Sequence, residues 1–257
     1  MRQYQTARAV LAISSFAMAA FAPAALGDIG NIVYSVTATT QDGHSATYQI
    51  TKDYLYQNGD VWEWDTNYVA ELRDPTDGTL VATMNPDALT SLGAACGVQY
   101  VNDPQVNLNF AVQAGAVTTT FHISSAVMGF STLTNPTATA SVSVSVTDFN
   151  GNGATYNRVA ANPGTYLAQY DGFAGTRSGT TYVEVLPNIV VAGAFGSNTT
   201  PSNNGPNVIA SASDMSSSYE FTLTPFDLAS GTSTYIITPE PASLVLLGMA
   251  AFALRRR

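Results

Sequence analysis

The chain has 257 residues, with 18 acidic against 9 basic side chains and a formal net charge of −9. Five of the cations lie at the two extremes, so residues 28–238 keep only Lys52, Arg73, Arg158 and Arg177 against seventeen carboxylates, a net of −13. Such a surface repels phosphate backbones and excludes nucleic acid as a partner, and a charged fraction of only 11% with abundant Ser, Thr, Asn, Gly and Ala fits an extracellular β-protein rather than a cytosolic enzyme.

In chain order, Arg2 and Arg8 form a positive n-region and Ala9–Phe21 an apolar h-region interrupted by Ser14 and Ser15. The small-residue patterns Ala22-Pro23-Ala24 and Ala25-Leu26-Gly27 follow, which reads as a secretory signal peptide over 1–27 with cleavage after Gly27. An N-terminal membrane anchor is the competing reading, but the run is short and no stop-transfer charges follow it.

From Asp28 onward, alternation dominates. Ile32, Tyr34, Val36 and Ala38 predict one buried strand face, Asp42-Gly43 a turn, and Ala46, Tyr48 and Ile50 the returning strand. His44 sits beside that turn. Tyr54 and Tyr56 share a face of a strand before Asn58-Gly59, and Trp62 and Trp64 share a face after it. Together these four aromatics could stack sugar rings as a glycan platform, with Glu63 and Asp65 on the opposite face; the competing reading is a hairpin whose rings bury into the core. Glu63 and Glu71 are the conceivable glycosidase acids, with no motif behind them.

Asp74-Pro75-Thr76-Asp77-Gly78 is a turn signal, and Pro86–Leu92 predicts at most two helical turns. Cys96 stands alone, so no disulfide framework exists within the chain, and a small buried thiol is expected. Strands are predicted at 106–112, at 117–123 with His122 on the solvent side beside Thr118, Thr120 and Ser124, and at 138–147. In the last, Ala138, Ala140, Val142, Val144 and Val146 alternate with hydroxyl residues.

Asp148-Phe149-Asn150-Gly151-Asn152-Gly153 imitates the start of a Ca²⁺ loop through the oxygens of Asp148, Asn150 and Asn152 and the glycine at the sixth position. Val159 stands where a bidentate glutamate would be needed, and a hairpin turn is the competing reading. No cofactor is expected; calcium at this loop is the weak candidate. Further strands are predicted at 182–186, 188–192 and 218–223, with a Ser/Thr/Asn/Pro/Gly-rich mobile loop at 196–207. No Gly-x-Ser-x-Gly elbow or His-Glu-x-x-His motif occurs, so no catalytic residue is assigned and the protein is read as a non-enzyme. The body, 28–235, is expected to be all-β: a single antiparallel β-sandwich, jelly-roll-like, with a barrel as the lesser alternative and a signal helix at each end of the chain.

The tail carries the most specific motif. Pro239-Glu240-Pro241 breaks regular structure. The apolar run from Ala242 to Leu254 follows, and then Arg255, Arg256 and Arg257, which act as a cytoplasmic membrane stop. The run is short of the roughly 20 residues that span a bilayer comfortably, but snorkelling and bilayer thinning tolerate the mismatch, and it lacks the polar face of an amphipathic core helix. This order at the extreme C-terminus, 236–257, resembles the PEP-CTERM sorting signal, also catalogued as the ice-binding protein C-terminal domain. The resemblance implies an exported protein of a Gram-negative-type bacterium, transiently anchored in the inner membrane and cut near Pro-Glu-Pro by an exosortase-type enzyme. The released body would then enter the exopolysaccharide or outer-surface layer with a structural or adhesive role. A secreted carbohydrate-binding module is the second reading, with exopolysaccharide as its partner. No Thr-x-Thr array accompanies the tail, so its catalogue label implies no ice binding here.

Overall fold

The computed structural model describes residues 26–86, 95–191 and 193–239. The expected signal peptide up to residue 25, most of the expected helical turn at 86–92, and the tail from Glu240 lie outside the described residues, as do Arg255–Arg257. Among the described residues no helix is long and apolar enough to cross a membrane.

The described chain is all-β, in two antiparallel sheets packed face to face. The first sheet contains β1 (Leu26–Ile29), β2 (Ile32–Thr40), β3 (Ser45–Thr51), β10 (Thr119–Ser125), β11 (Met128–Thr134), β13 (Ala154–Arg158), β14 (Tyr166–Tyr170), β15 (Thr180–Val185), β16 (Ile189–Val191) and β18 (Ser211–Leu223). The second contains β4 (Tyr56–Asn58), β5 (Val61–Thr66), β6 (Ala70–Arg73), β7 (Leu80–Met84), β8 (Cys96–Val101), β9 (Gln105–Ala114), β12 (Thr137–Thr147), β17 (Ser197–Val208) and β19 (Leu228–Thr238). In the first sheet β18 is the spine, pairing with β10 and β11 along one edge and with β13 and β14 along the other. In the second the order runs β17-β12-β19-β9, after which β9 pairs with both β8 and β7.

The predicted alternation is realised in β12, where Ala138, Ala140, Val142, Val144 and Val146 are all buried. In β2 a bulge between Ile32 and Tyr34 buries both Val33 and Tyr34 and leaves Ile32 partly exposed, because one extra residue on a strand shifts the facing of what precedes it. Between the sheets the aromatic rings meet. Phe110 of the second sheet lies 4.8 Å from Tyr219 and 5.3 Å from Phe221 of the first, and Phe221 in turn stacks on Tyr156 at 4.3 Å and Phe121 at 5.4 Å. Gly231, directly opposite Phe110 on β19, makes room for this ring: a Cβ there would stand 2.3 Å from it. Buried tyrosines also tie the sheets with hydrogen bonds, Tyr34 donating to the Asn109 carbonyl at 3.0 Å and Tyr100 to the Val33 carbonyl at 2.7 Å. Cys96 is buried as expected, and burial pushes its thiol pKa up.

One expectation is corrected. The polar segment at 196–207 is the edge strand β17, paired with β12 from Thr137↔Val208 to Thr147↔Ser197. Its composition disfavours a central strand, but an edge tolerates proline, and Pro201 and Pro206 blunt further pairing there. Hydroxyl pairs close the ladder, with Ser145 and Thr199 at 2.7 Å and Thr147 and Ser197 at 3.1 Å. The cleavage expected after Gly27 falls inside β1, and β19 continues past residue 235 to Thr238 with Ile237 buried, so the last strand ends directly before exposed Pro239.

Because Phe221 contacts rings from both sheets, Phe221→Ala is expected to cost about 3–5 kcal/mol. Urea unfolding should show this as a lower midpoint at unchanged slope; a loss below about 1 kcal/mol would contradict the ring cluster's central place.

Candidate functional site

Three candidate regions emerge: the outer face of each sheet and one loop-bearing end. On the second sheet, strand register aligns one row of side chains across the outer face: Tyr56, Glu63, Gln99, Asn107, Thr234, Ser141 and Asn203. Gln99 donates to the Glu63 carboxylate at 3.0 Å, and Asn107 donates to Gln99 at 2.7 Å, so the row is a hydrogen-bonded zipper. In the adjacent row, between Asp65 and Asn109, stands Gly97, where a Cβ would come within 2.9 Å of the Trp64 carbonyl of β5; beside it lies a depression of about 340 Å³ lined by Glu63, Asp65, Gln99, Asn107, Asn109 and Thr232. Carboxylate, amide and hydroxyl groups in this array can exchange hydrogen bonds with a polyhydroxylated ligand, and Tyr56, 66% exposed, supplies a ring at its margin.

The four expected aromatics do not form one platform. Trp62 and Trp64 face inward opposite Tyr100 and Val98 and pack, partly buried, against the core, with Trp64 5.1 Å from Tyr34 and 6.3 Å from Tyr48. Tyr54 sits in the 3₁₀ turn Lys52–Tyr54. Tyr56 pairs with Glu63 and therefore shares the outer face with that carboxylate. Glu71 lies on β6, where Arg73 holds it at 2.7 and 2.8 Å, while Glu63 lies on β5 and accepts from Gln99.

On the first sheet the outer face is lined with hydroxyls: Thr47, Thr37, His122 and Glu220 form one row and Ser45, Thr39, Thr120 and Thr222 the next. The turn after β14 folds over this face through the 3₁₀ turn Ala174–Thr176, anchored where the Ala174 amide donates to Ser216 Oγ at 2.8 Å. Arg177 ends this turn in the left-handed region at φ 54°, a conformation that costs a non-glycine residue roughly 1–2 kcal/mol. It is held by a bidentate pair to Glu184 at 2.9 and 3.0 Å and by Glu220 at 3.5 Å. A depression of about 370 Å³ lies between His122, Thr37, Thr39, Thr120, Arg177 and Glu220. Burial lowers the His122 pKa, with Arg177 adding to the effect and Glu220 opposing it. Sequence reasoning put His122 on the correct face, but the covering turn and its arginine come from residues 50 or so positions away in sequence.

At one end of the sandwich the turns at 41–44, 115–118, 148–153, 193–196 and 224–227 converge, linked by Gln41 to Thr118, Phe226 to Gly115 and Phe195 to Asp148. Pro239 leaves from the opposite end, after Thr238. Asp148 is buried, and its carboxylate accepts the amides of Gly151 at 2.8 Å, Gly153 at 3.0 Å and Phe195 at 3.0 Å. Burial pushes its pKa up, but these N–H donors outweigh that and hold it below the usual carboxylate value. Asn150 donates to the Pro225 carbonyl and accepts from the Asn152 amide. The side-chain oxygens of Asp148 and Asn150 thus organise a turn, which carries the chain from the second sheet into the first rather than closing a hairpin. The same end exposes Phe149, Phe195 and Phe226 (50%, 71% and 48%), the last two at positive φ. Sequence reasoning missed these rings, although each stands in a Gly-, Pro- or Asx-bearing turn rather than in an alternating run.

No family model matches this chain. No curated protein matches it either. Among solved structures it is similar to the isomalto-dextranase of Arthrobacter globiformis T6 complexed with panose, at 10% identity and a TM-score of 0.25, over 78% of this chain and 30% of that one. It is also similar to a chain of infectious bursal disease virus, Gx strain, at 11% identity and a TM-score of 0.25, over 84% of this chain and 58% of that one. The matches span less than two thirds of either neighbour's length, and likeness at that level gives no family and no activity.

A lowered His122 pKa means that the unfolded chain takes up the proton first as pH falls. The contribution of neutral His122 is therefore complete above about pH 6.5 and is lost as pH drops below it. Urea midpoints measured at about pH 7.5 and 5.5 should fall more for the wild type than for His122→Gln; equal falls would contradict this.

Proposed function

We propose that this chain is an exported, non-catalytic surface or matrix protein, sorted by its PEP-CTERM tail and serving a structural or adhesive role in the exopolysaccharide layer. The carrying observation is that both sheets turn rows of hydroxyl and amide groups outward on a rigid core, with few cations, which supports a hydrated, hydrogen-bonding contact surface. The chain's repeated crossing between sheets suits a jelly-roll-like wrapping. In this reading residues 1–27 direct export, Arg255–Arg257 stop the short apolar run in the inner membrane, and an exosortase-type enzyme cuts near Pro239-Glu240-Pro241. Because β19 ends at Thr238, a cut there would free the body without severing a strand.

The zipper beside Gly97 favours a second reading, carbohydrate binding, with Tyr56 and the Glu63, Gln99 and Asn107 row in place of the tryptophan pair. Its polar groups match the hydroxyls of an extracellular polysaccharide.

Replacing Glu240 by Ala should leave tail-bearing protein in the inner-membrane fraction; release at the wild-type level would count against exosortase-type handling. For glycan contact, the double change Tyr56→Ala, Glu63→Gln should weaken retardation in polysaccharide-containing native gels about tenfold, roughly 1.4 kcal/mol, at an unchanged urea midpoint. Undiminished retardation would eliminate this face as the binding surface.

A further inference from the structure

The turn between β2 and β3 belongs to the first sheet and the turn between β6 and β7 to the second, and they meet at the loop-bearing end. There His44 Nδ1 lies 3.3 Å from Asp74 Oδ2 and 3.6 Å from Asp77 Oδ2, with all three donor atoms within 4.8 Å of one another. We propose that His44, Asp74 and Asp77 bind one divalent first-row transition ion of the zinc type, leaving a coordination position for water or an external oxygen ligand.

The spacing is the first argument. Zinc bonds of about 2.0–2.2 Å directed tetrahedrally set neighbouring donor atoms about 3.3–3.6 Å apart, as His44 Nδ1 stands from both carboxylates; without an ion its 3.3 Å contact with Asp74 is a hydrogen bond, whereas 3.6 Å to Asp77 is too long for one. The donor set is the second. One imidazole nitrogen and two carboxylates supply borderline ligands and two negative charges, while Ca²⁺ and Mg²⁺ prefer six or more oxygens. The third is orientation by the surrounding backbone. Asp74 Oδ1 accepts from the Thr76 amide at 2.7 Å and Asp74 Oδ2 from the Ser45 amide at 3.0 Å, while Asp77 Oδ1 accepts from Thr79 at 2.9 Å and so turns Oδ2 toward His44. Second contacts of this kind fix ligand direction before the ion arrives. Arg73, the neighbouring cation, is occupied by Glu71 and the Gly78 carbonyl. Side-chain exposures of 32% for His44 and 47% for Asp77 leave a route in, while Asp74, at 10%, forms the floor.

The test is calorimetric titration of ZnCl₂ into the purified, untagged full chain in detergent, with thermal unfolding followed in parallel. The expected result is one ion per chain, a melting temperature that climbs with zinc concentration, and at least tenfold weaker binding in both His44→Gln and Asp77→Asn. Asp77→Asn should melt like the wild type without zinc, since it keeps the oxygen that accepts from Thr79 and leaves Asp74, which holds two backbone amides, untouched. Absence of saturable zinc binding, undiminished binding in either variant, or equal affinity for Ca²⁺ would overturn the proposal.

Discussion

Everything in this molecule depends on closing two polar-backed sheets over one layer of aromatic rings. Packed sheets stand about 10 Å apart, and the space is filled here by rings reaching across it, Phe110 from one side and Tyr219, Phe221 and Tyr156 from the other. Once these rings take up the interior, small and β-branched residues suffice around them, as the Ala/Val face of β12 illustrates. The outward faces are then free of any duty to the core and can be surfaced with hydroxyls and amides. A low charge content is compatible with solubility because those rows, rather than ion pairs, meet the water.

That division also explains where side chains converge. The first sheet's outer rows become a depression where the turn carrying Arg177 lies over His122 and Glu220. The second sheet's do so beside Gly97, which lets the β5 and β8 backbones approach closely. The His44, Asp74 and Asp77 cluster and the exposed Phe149, Phe195 and Phe226 collect at the end away from Pro239.

Much of the fold was legible because burial imposes a period of two. The runs in β12 and at the end of β18 show it without interruption. β19 hides it, since its inward positions include Gly231, which admits the Phe110 ring, and Ser233, which donates to the Leu108 carbonyl. β17 hides it because an edge strand with one partner needs no apolar face. In the aromatic hairpin the tryptophans pack against the core, as the competing reading has it, but cross-strand register could not be read, and it is the pairing of Tyr56 with Glu63 that moves the tyrosine away from them. The His44 cluster was invisible for a related reason. His44 and Asp74 come from turns of different sheets, 30 residues apart, and both turns had sufficient local cause in their Gly, Pro and Asx residues.

The central claim is that this sandwich is released from its tail and carries its polar faces into the polysaccharide layer. Intact mass of the protein recovered with extracellular polysaccharide, compared with that in the envelope fraction, tests it most directly. The account predicts an extracellular species beginning near Asp28 and ending within Pro239–Pro241. A single membrane-bound species retaining Arg255–Arg257 would contradict it and make the protein a permanently anchored one.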